Sequence, residues 1–231
     1  MDTIQGIAQA YAEPIDIPTD LFDPVVGYDD VKWVLRRSLT SPKVLHFLFV
    51  GPPASAKSLL LLELERLKGA YYGVGSSSTK AGLRQLLFEM RPRILLIDEL
   101  DKVRTSKDYA VLLSLMESGI VSETMYGSQH KEHRVARVFA AANTDEKLTP
   151  ELRSRFVVLR FAPYALPDFL IIAERVLVDR EKVDPGLAQS IAQAVWENLE
   201  SKDIRDAVKV ARLVSNFDDL APIVQVLRHY K

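Results

Sequence analysis

The chain has no cysteine, so neither a disulfide framework nor a thiolate metal site is available to it. It carries no excess of charge either. Its 30 Lys and Arg against 31 Asp and Glu leave a formal −1, and bulk electrostatics select neither a nucleic-acid nor a protein partner. No apolar run approaches the ~20 residues of a membrane span, which excludes insertion through such a helix. The amino terminus, Met1-Asp-Thr-Ile-Gln-Gly6, lacks a basic segment leading into an apolar stretch, so no secretory signal is read there and a cytoplasmic location is expected. Internal repeats and low-complexity tracts are missing too. What is there, 231 residues with 48% apolar and 26% charged side chains, is the composition of a globular protein able to bury a sizeable core.

Three prolines, Pro14, Pro18 and Pro24, punctuate residues 1–24, which read as an irregular leader. After Val25-Val26-Gly27-Tyr28, Asp29 or Asp30 is the candidate N-cap of an amphipathic helix. Strand and helix patterns then alternate. Strands are expected at 45–50, 70–74, 94–98, 135–142 and 157–161, and helices at 57–67, 80–89, 107–118 and 150–156. Unalternating apolar runs such as Ile94-Leu-Leu-Ile97 are what a parallel sheet covered on both faces demands. After Pro163 the strand patterns stop, and helical periodicity runs through 167–182, 185–200, 202–216 and 218–230. In the third of these, Ile204, Ala207, Val208 and Ala211 fall on one helix face. The expected architecture is an α/β domain over 25–163, with a five-stranded parallel sheet and helices on both faces, then a small all-helical domain over 164–231.

Chemistry gathers where the strands end. The run Leu45–Val50 leads into Gly51, Pro52, Pro53, Ala54, Ser55, Ala56, Lys57 and Ser58, and Leu59 continues a helix. A strand, tight loop and helix start can hold a polyphosphate, because backbone N–H groups and the helix dipole both favour an anion there. Lys57 would reach the β- and γ-phosphates and the Ser58 hydroxyl would ligate Mg²⁺. The pattern G-x-x-x-x-G-K-[ST] has Ala56 in place of its second glycine. An alanine forced to positive φ would cost roughly 1–2 kcal/mol, so Ala56 is expected in a helical conformation. The bland alternative is an ordinary strand-to-helix turn with a solvated lysine.

A second strand delivers Asp98 and Glu99 at its carboxyl end, the edge at which α/β sheets bind ligands. Asp98 can hold Mg²⁺ and Glu99 can take a proton from an attacking water; alternatively the pair caps the next helix. The strand Val138–Ala142 ends in Asn143, which could bond a γ-phosphate or orient water, or could serve only the turn. Arg153 and Arg155 precede the last strand, and Arg205 opens a later helix. Arginine suits phosphate because its planar fork bonds bidentately and stays charged, though each of these could equally be a surface salt-bridge partner.

In this order the pieces resemble an AAA+ ATPase, over roughly residues 22–216. The resemblance implies a P-loop NTPase fold, with a Walker A loop at Gly51–Ser58 and a Walker B strand at Ile94–Glu99. It makes Asn143 the sensor-1 position, Arg155 the arginine finger with Arg153 second choice, and Arg205 sensor 2. Val25–Tyr28 looks like the family's amino-terminal motif beside the adenine, with Val26 and Gly27 contacting nucleotide. ATP and Mg²⁺ would then sit between the large domain and the helical lid. The finger would act on a neighbouring subunit's ATP, in a ring or helical oligomer, commonly hexameric, that remodels a client. Leu152–Phe156 and Ser201–Arg205 are similar to Holliday-junction-helicase-like members, whose carboxyl-terminal winged helix is not expected here.

Two segments could touch a protein or nucleic-acid client. Ala70–Lys80 holds Tyr71 and Tyr72 before a Gly/Ser loop, at the pore-lining position of such rings; the alternative is that both tyrosines are ordinary strand residues. Gly119–Arg137 reads as a hairpin turning near Gly127–Glu132, with Lys131, Arg134 and Arg137 as a positive patch, or as a solvated charged hairpin. It resembles the hairpin before sensor 1 in DNA-remodelling and MoxR-like branches. His130 and His133 have no further His or Cys nearby, so no zinc site is expected. Against the motor stand two other readings, an ATP-binding switch with little turnover and a scaffold that binds no nucleotide.

Overall fold

The computed structural model describes residues 15–53, 55–75, 80–103, 109–125, 128–133 and 135–230, with backbone alone at 80, 81, 120–125 and 128–133. In chain order the described strands are β1 (Phe47–Val50), β2 (Ala70–Val74), β3 (Ile94–Asp98), β4 (Ile120–Met125), β5 (Ser128–His133), β6 (Arg137–Ala142) and β7 (Val157–Arg160). The helices are α1 (Asp29–Thr40), α2 (Lys57–Glu65), α3 (Lys80–Glu89), α4 (Ala110–Ser118), α5 (Pro150–Ser154), α6 (Leu166–Asp179), α7 (Pro185–Glu197), α8 (Ile204–Ala211) and α9 (Phe217–His229). The chain divides into two compact units, Met1–Gly51 with Ala56–Phe161, and Pro52–Ser55 with Ala162–Lys231.

In the first unit five strands form one parallel sheet in the order β2-β3-β6-β1-β7. Its three inner strands are buried almost without interruption, which accounts for their unalternating apolar sequences. Side chains of one parity, Leu48, Leu95, Ile97, Val138 and Ala140, pack with Leu83 and Leu87 of α3 and Leu112 and Leu115 of α4. Those of the other parity, including the stacked rings of Phe47 and Phe139, face the opposite way, where α2 lies against β2, β3 and β6. This is a P-loop NTPase-type α/β fold.

Several local expectations shift. The N-cap of α1 is Tyr28, in the left-handed conformation, and both aspartates lie inside the first turn, where Asp29 pairs with Lys32. Residues 15–24 are irregular in backbone yet bound into the core. Leu21, Phe22 and Val25 are buried, and the Arg36 guanidinium donates to the carbonyls of Pro18, Thr19 and Leu21. In the antiparallel hairpin β4–β5 Met125 pairs with Ser128, so Ser128–Glu132 belongs to the strand.

In the second unit, side-chain caps explain where α7, α8 and α9 begin. Asp184 accepts from the amides of Gly186 and Leu187, Asp203 from Arg205, and Asn216 from Asp218 and Asp219. The buried stripe of α8 is Ala207, Val210 and Ala211, continued by Val214 beyond its end. Ile204 and Val208 are only half-buried, so the stripe is rotated from the face expected. Among the described residues, no helix is long and apolar enough to cross a membrane.

Candidate active site

The loop after β1 is set by close approach. Phe161 N donates to Val50 O at 2.7 Å, and Gly51 N donates to Ala142 O at 3.2 Å. A Cβ at Gly51 would stand 2.3 Å from Phe161 O, so only glycine fits there. Ala56 has φ −64° and ψ −2°, right-handed helical backbone that alanine adopts without strain. The glycine of the common pattern is therefore not required at this turn. Ala54 lies outside the described residues; Pro52 and Pro53 are exposed, Ser55 and Leu59 half-buried. Ser55 Oγ donates to Pro52 O at 2.9 Å, closing the turn.

Lys57 opens α2 and is only 5% exposed. Its ammonium donates to Gly51 O at 2.7 Å, which lays it along the loop. Burial pushes its pKa down, and the charges of Asp98 and Asp101 partly restore it. A bound anion would favour the protonated form further. The exposed Ser58 hydroxyl and the half-buried Asp98 carboxylate are hard oxygen donors, a set that fits Mg²⁺.

Strand order brings the rest together. β3, β6 and β1 are neighbours and parallel, so Asp98, Asn143 and the loop after Val50 emerge at one edge. Asp98 Oδ1 accepts from Glu99 N and its Oδ2 from the Tyr72 hydroxyl, both at 2.8 Å. Glu99 is left-handed, φ 53°, and caps a short 3₁₀ turn over Leu100–Lys102, with its carboxylate on Lys102. Asn143 is exposed, and its backbone N–H donates to Asp101 Oδ1 at 3.3 Å. Tyr28 leans on the Phe161 ring, centroids 5.1 Å apart, and Phe161 in turn abuts Gly51, which ties the Val26–Gly27 segment to the loop.

Each candidate arginine faces a carboxylate. Val157 N donates to His46 O, at the amino-terminal end of β1 and β7. Arg155, two residues earlier, therefore sits toward the opposite edge of the sheet from Lys57, paired with Glu117 at 2.7 Å. Arg153 lies 3.7 Å from Asp145, which Arg160 also grips, at 2.8 Å. Arg205 belongs to the second unit and pairs with its own helix cap, Asp203.

Residues 47–164, just over half the chain, match the profile of the ATPase family associated with various cellular activities (AAA). The chain belongs to the AAA ATPase family. Replication factor C small subunit 2 of Pyrobaculum arsenaticum is 26% identical over 212 residues, taking in 84% of this chain and 60% of that protein. The meiotic spindle formation protein mei-1 of Caenorhabditis elegans is 28% identical over 187 residues, 68% of this chain and 38% of that one. The chain thus spans about three fifths or less of these relatives' length. A RuvB point mutant from Thermotoga maritima matches with a TM-score of 0.68 at 20% identity, over 92% of this chain and 74% of that structure, a likeness of fold.

Within this AAA domain the sequence reading missed four residues. Asp101 is buried and faces both Lys57 and Asn143; its spacing of three from Asp98 was the available signal. Asp145 gave no local sign. Tyr72 and Gly75 matter only because β2 lies beside β3. A Cβ at Gly75 would come to 2.4 Å from Glu99 O. Both expected client contacts lose members to the fold. Tyr71 packs against the core and Tyr72 is bonded to Asp98, so both are strand residues; the loop 76–79 lies outside the described residues. Arg137 donates to the carbonyls of Ser38 and Ser41, which removes it from the hairpin's charge patch. Tyr126, Gly127 and Arg134 lie outside the described residues, as do the side chains of His130, Lys131 and His133.

Proposed function

We propose that this AAA protein binds ATP with Mg²⁺ along Gly51–Leu59 and hydrolyses it to ADP and phosphate, as an oligomeric motor acting on a protein or nucleic-acid client in the cytoplasm. The observation that carries the reading is the buried Lys57 ammonium, at the start of a helix and within the field of Asp98 and Asp101. A fixed cation beside a helix start favours an anion there through its charge and through the helix dipole.

The proposed roles follow from position. Lys57 and the loop amides hold the phosphates; Ser58 and Asp98 hold Mg²⁺, which when bound would neutralise charge on the phosphate oxygens. Glu99 takes the proton of the attacking water, and Asn143 orients that water or the γ-phosphate. Val26 and Gly27 border the base, and Arg205 contacts phosphate from the helical region. Arg155 serves the ATP of a neighbouring copy, a role its placement toward the far edge of its own sheet supports. Such trans action makes a ring or helical oligomer the working form, with hydrolysis moving one subunit against the next.

Replacing Glu99 with Gln tests the motor. Phosphate release should fall by about 10²–10⁴, while calorimetric titration with ATP and Mg²⁺ still shows binding. A wild-type rate near zero that Glu99→Gln leaves unchanged would point to the switch instead, and absence of ATP binding to the scaffold.

A further inference from the structure

Tyr72 is set against the proposed metal-binding carboxylate by the sheet itself. In the β2–β3 register Tyr72 stands opposite Leu96, and residues two apart on a strand share a face, so Tyr72 projects on the side of Leu96 and Asp98. Its hydroxyl donates to Asp98 Oδ2 at 2.8 Å, and Glu99 N donates to Oδ1 at 2.8 Å. Both oxygens of Asp98 are thus held by donors, and each keeps a further lone pair for an ion or its water. Gly75 fixes the approach of the two strand exits, since any Cβ there would collide with Glu99 O and lie 3.2 Å from Asp98 O.

We propose that Tyr72 is a positioning residue for Mg²⁺. Its hydroxyl fixes the orientation of the Asp98 carboxylate and so sets the Mg²⁺ concentration at which nucleotide is bound tightly. Partners that orient a metal ligand typically change metal affinity 10–100-fold when removed. The inference rests on the proposed function, and its test separates the two.

The methylanthraniloyl derivative of ATP is titrated into the full chain, in chelator and across a range of Mg²⁺. Tyr72→Phe keeps the ring packing and removes only the donor. It should leave binding in chelator unchanged and raise the Mg²⁺ midpoint by about 10–100-fold. Asp98→Asn should raise the midpoint too, and adding Tyr72→Phe to it should change nothing more, as two members of one unit behave. Fluorotyrosine at position 72 of the otherwise wild-type chain supplies a readout without a variant, a fluorine resonance that moves when Mg²⁺ joins the nucleotide-loaded protein. An unmoved midpoint or resonance overturns the inference alone. Equal loss with and without Mg²⁺ also overturns it, because the residue would then only shape the fold. If wild type fails to bind the probe and Lys57→Ala behaves identically, the proposed function falls and takes this inference with it.

Discussion

The two edges of one sheet treat polar groups in opposite ways. At the amino-terminal edge they are bonded to backbone: His46 Nδ1 accepts from Val138 N at 3.1 Å, and Arg137 caps the end of α1 through the carbonyls of Ser38 and Ser41. At the carboxyl edge backbone bonds are made as well, but charges also face one another: Lys57 stands in the field of Asp98 and Asp101, and Asn143 N–H donates to Asp101. The first arrangement closes the structure upon itself. The second retains bonding capacity that a charged ligand can use, which is the property a site requires. Arg155, an exposed arginine toward the amino-terminal edge, is bonded to another side chain instead, the Glu117 carboxylate.

The largest effect expected is on Arg155. Arg155→Ala should keep ATP binding and lose about 10³–10⁵ in hydrolysis. Mixing it with Lys57→Ala chains, which should themselves bind ATP about 10²-fold more weakly for want of a charged donor, should restore part of the rate. Phosphate-release assays of the mixture check this; no rescue at any ratio, with wild type monomeric throughout, would break the contrast between the arginine and the site.

Next comes pH at the closed edge. Burial holds the pKa of His46 down at about 4, against 6.5 for an ordinary histidine, and Arg137 adds to this, while a hydrogen bond with the Met116 backbone opposes it. Because the folded value is the lower, the neutral form's contribution is complete above about pH 6.5 and is lost as pH falls towards 4. The unfolded chain binds the extra proton in that window. The loss is on the order of 3 kcal/mol at most, read from urea melts at pH 7 and pH 4.5, and it should flatten in His46→Gln. A profile equally steep in that variant would move the titrating group elsewhere. The smallest effect is Arg137→Ala, expected to cost about 1–2 kcal/mol of stability with ATP affinity unchanged; altered affinity would blur the distinction between the edges.

The sequence by itself determined what is local. Unalternating apolar runs marked the three buried inner strands, because a strand covered on both faces has no polar side to show. The Gly51–Ser58 loop, the Asp98-Glu99 pair and Asn143 were legible because each lies within a residue or so of a strand end. Helical backbone at Ala56 followed from the cost of positive φ. Tertiary structure decided what depends on which strands are neighbours. The order β2-β3-β6-β1-β7 put Tyr72 and Gly75 against Asp98 and Glu99, and placed Asp101 beneath Asn143. It also set Arg155 toward the edge away from Lys57 and drew Arg137 out of the hairpin patch into the end of α1. Periodicity and turn chemistry record how a segment meets its own neighbours in the chain. Which residues meet across a sheet is fixed by how whole strands pack, and no short stretch of sequence contains that choice.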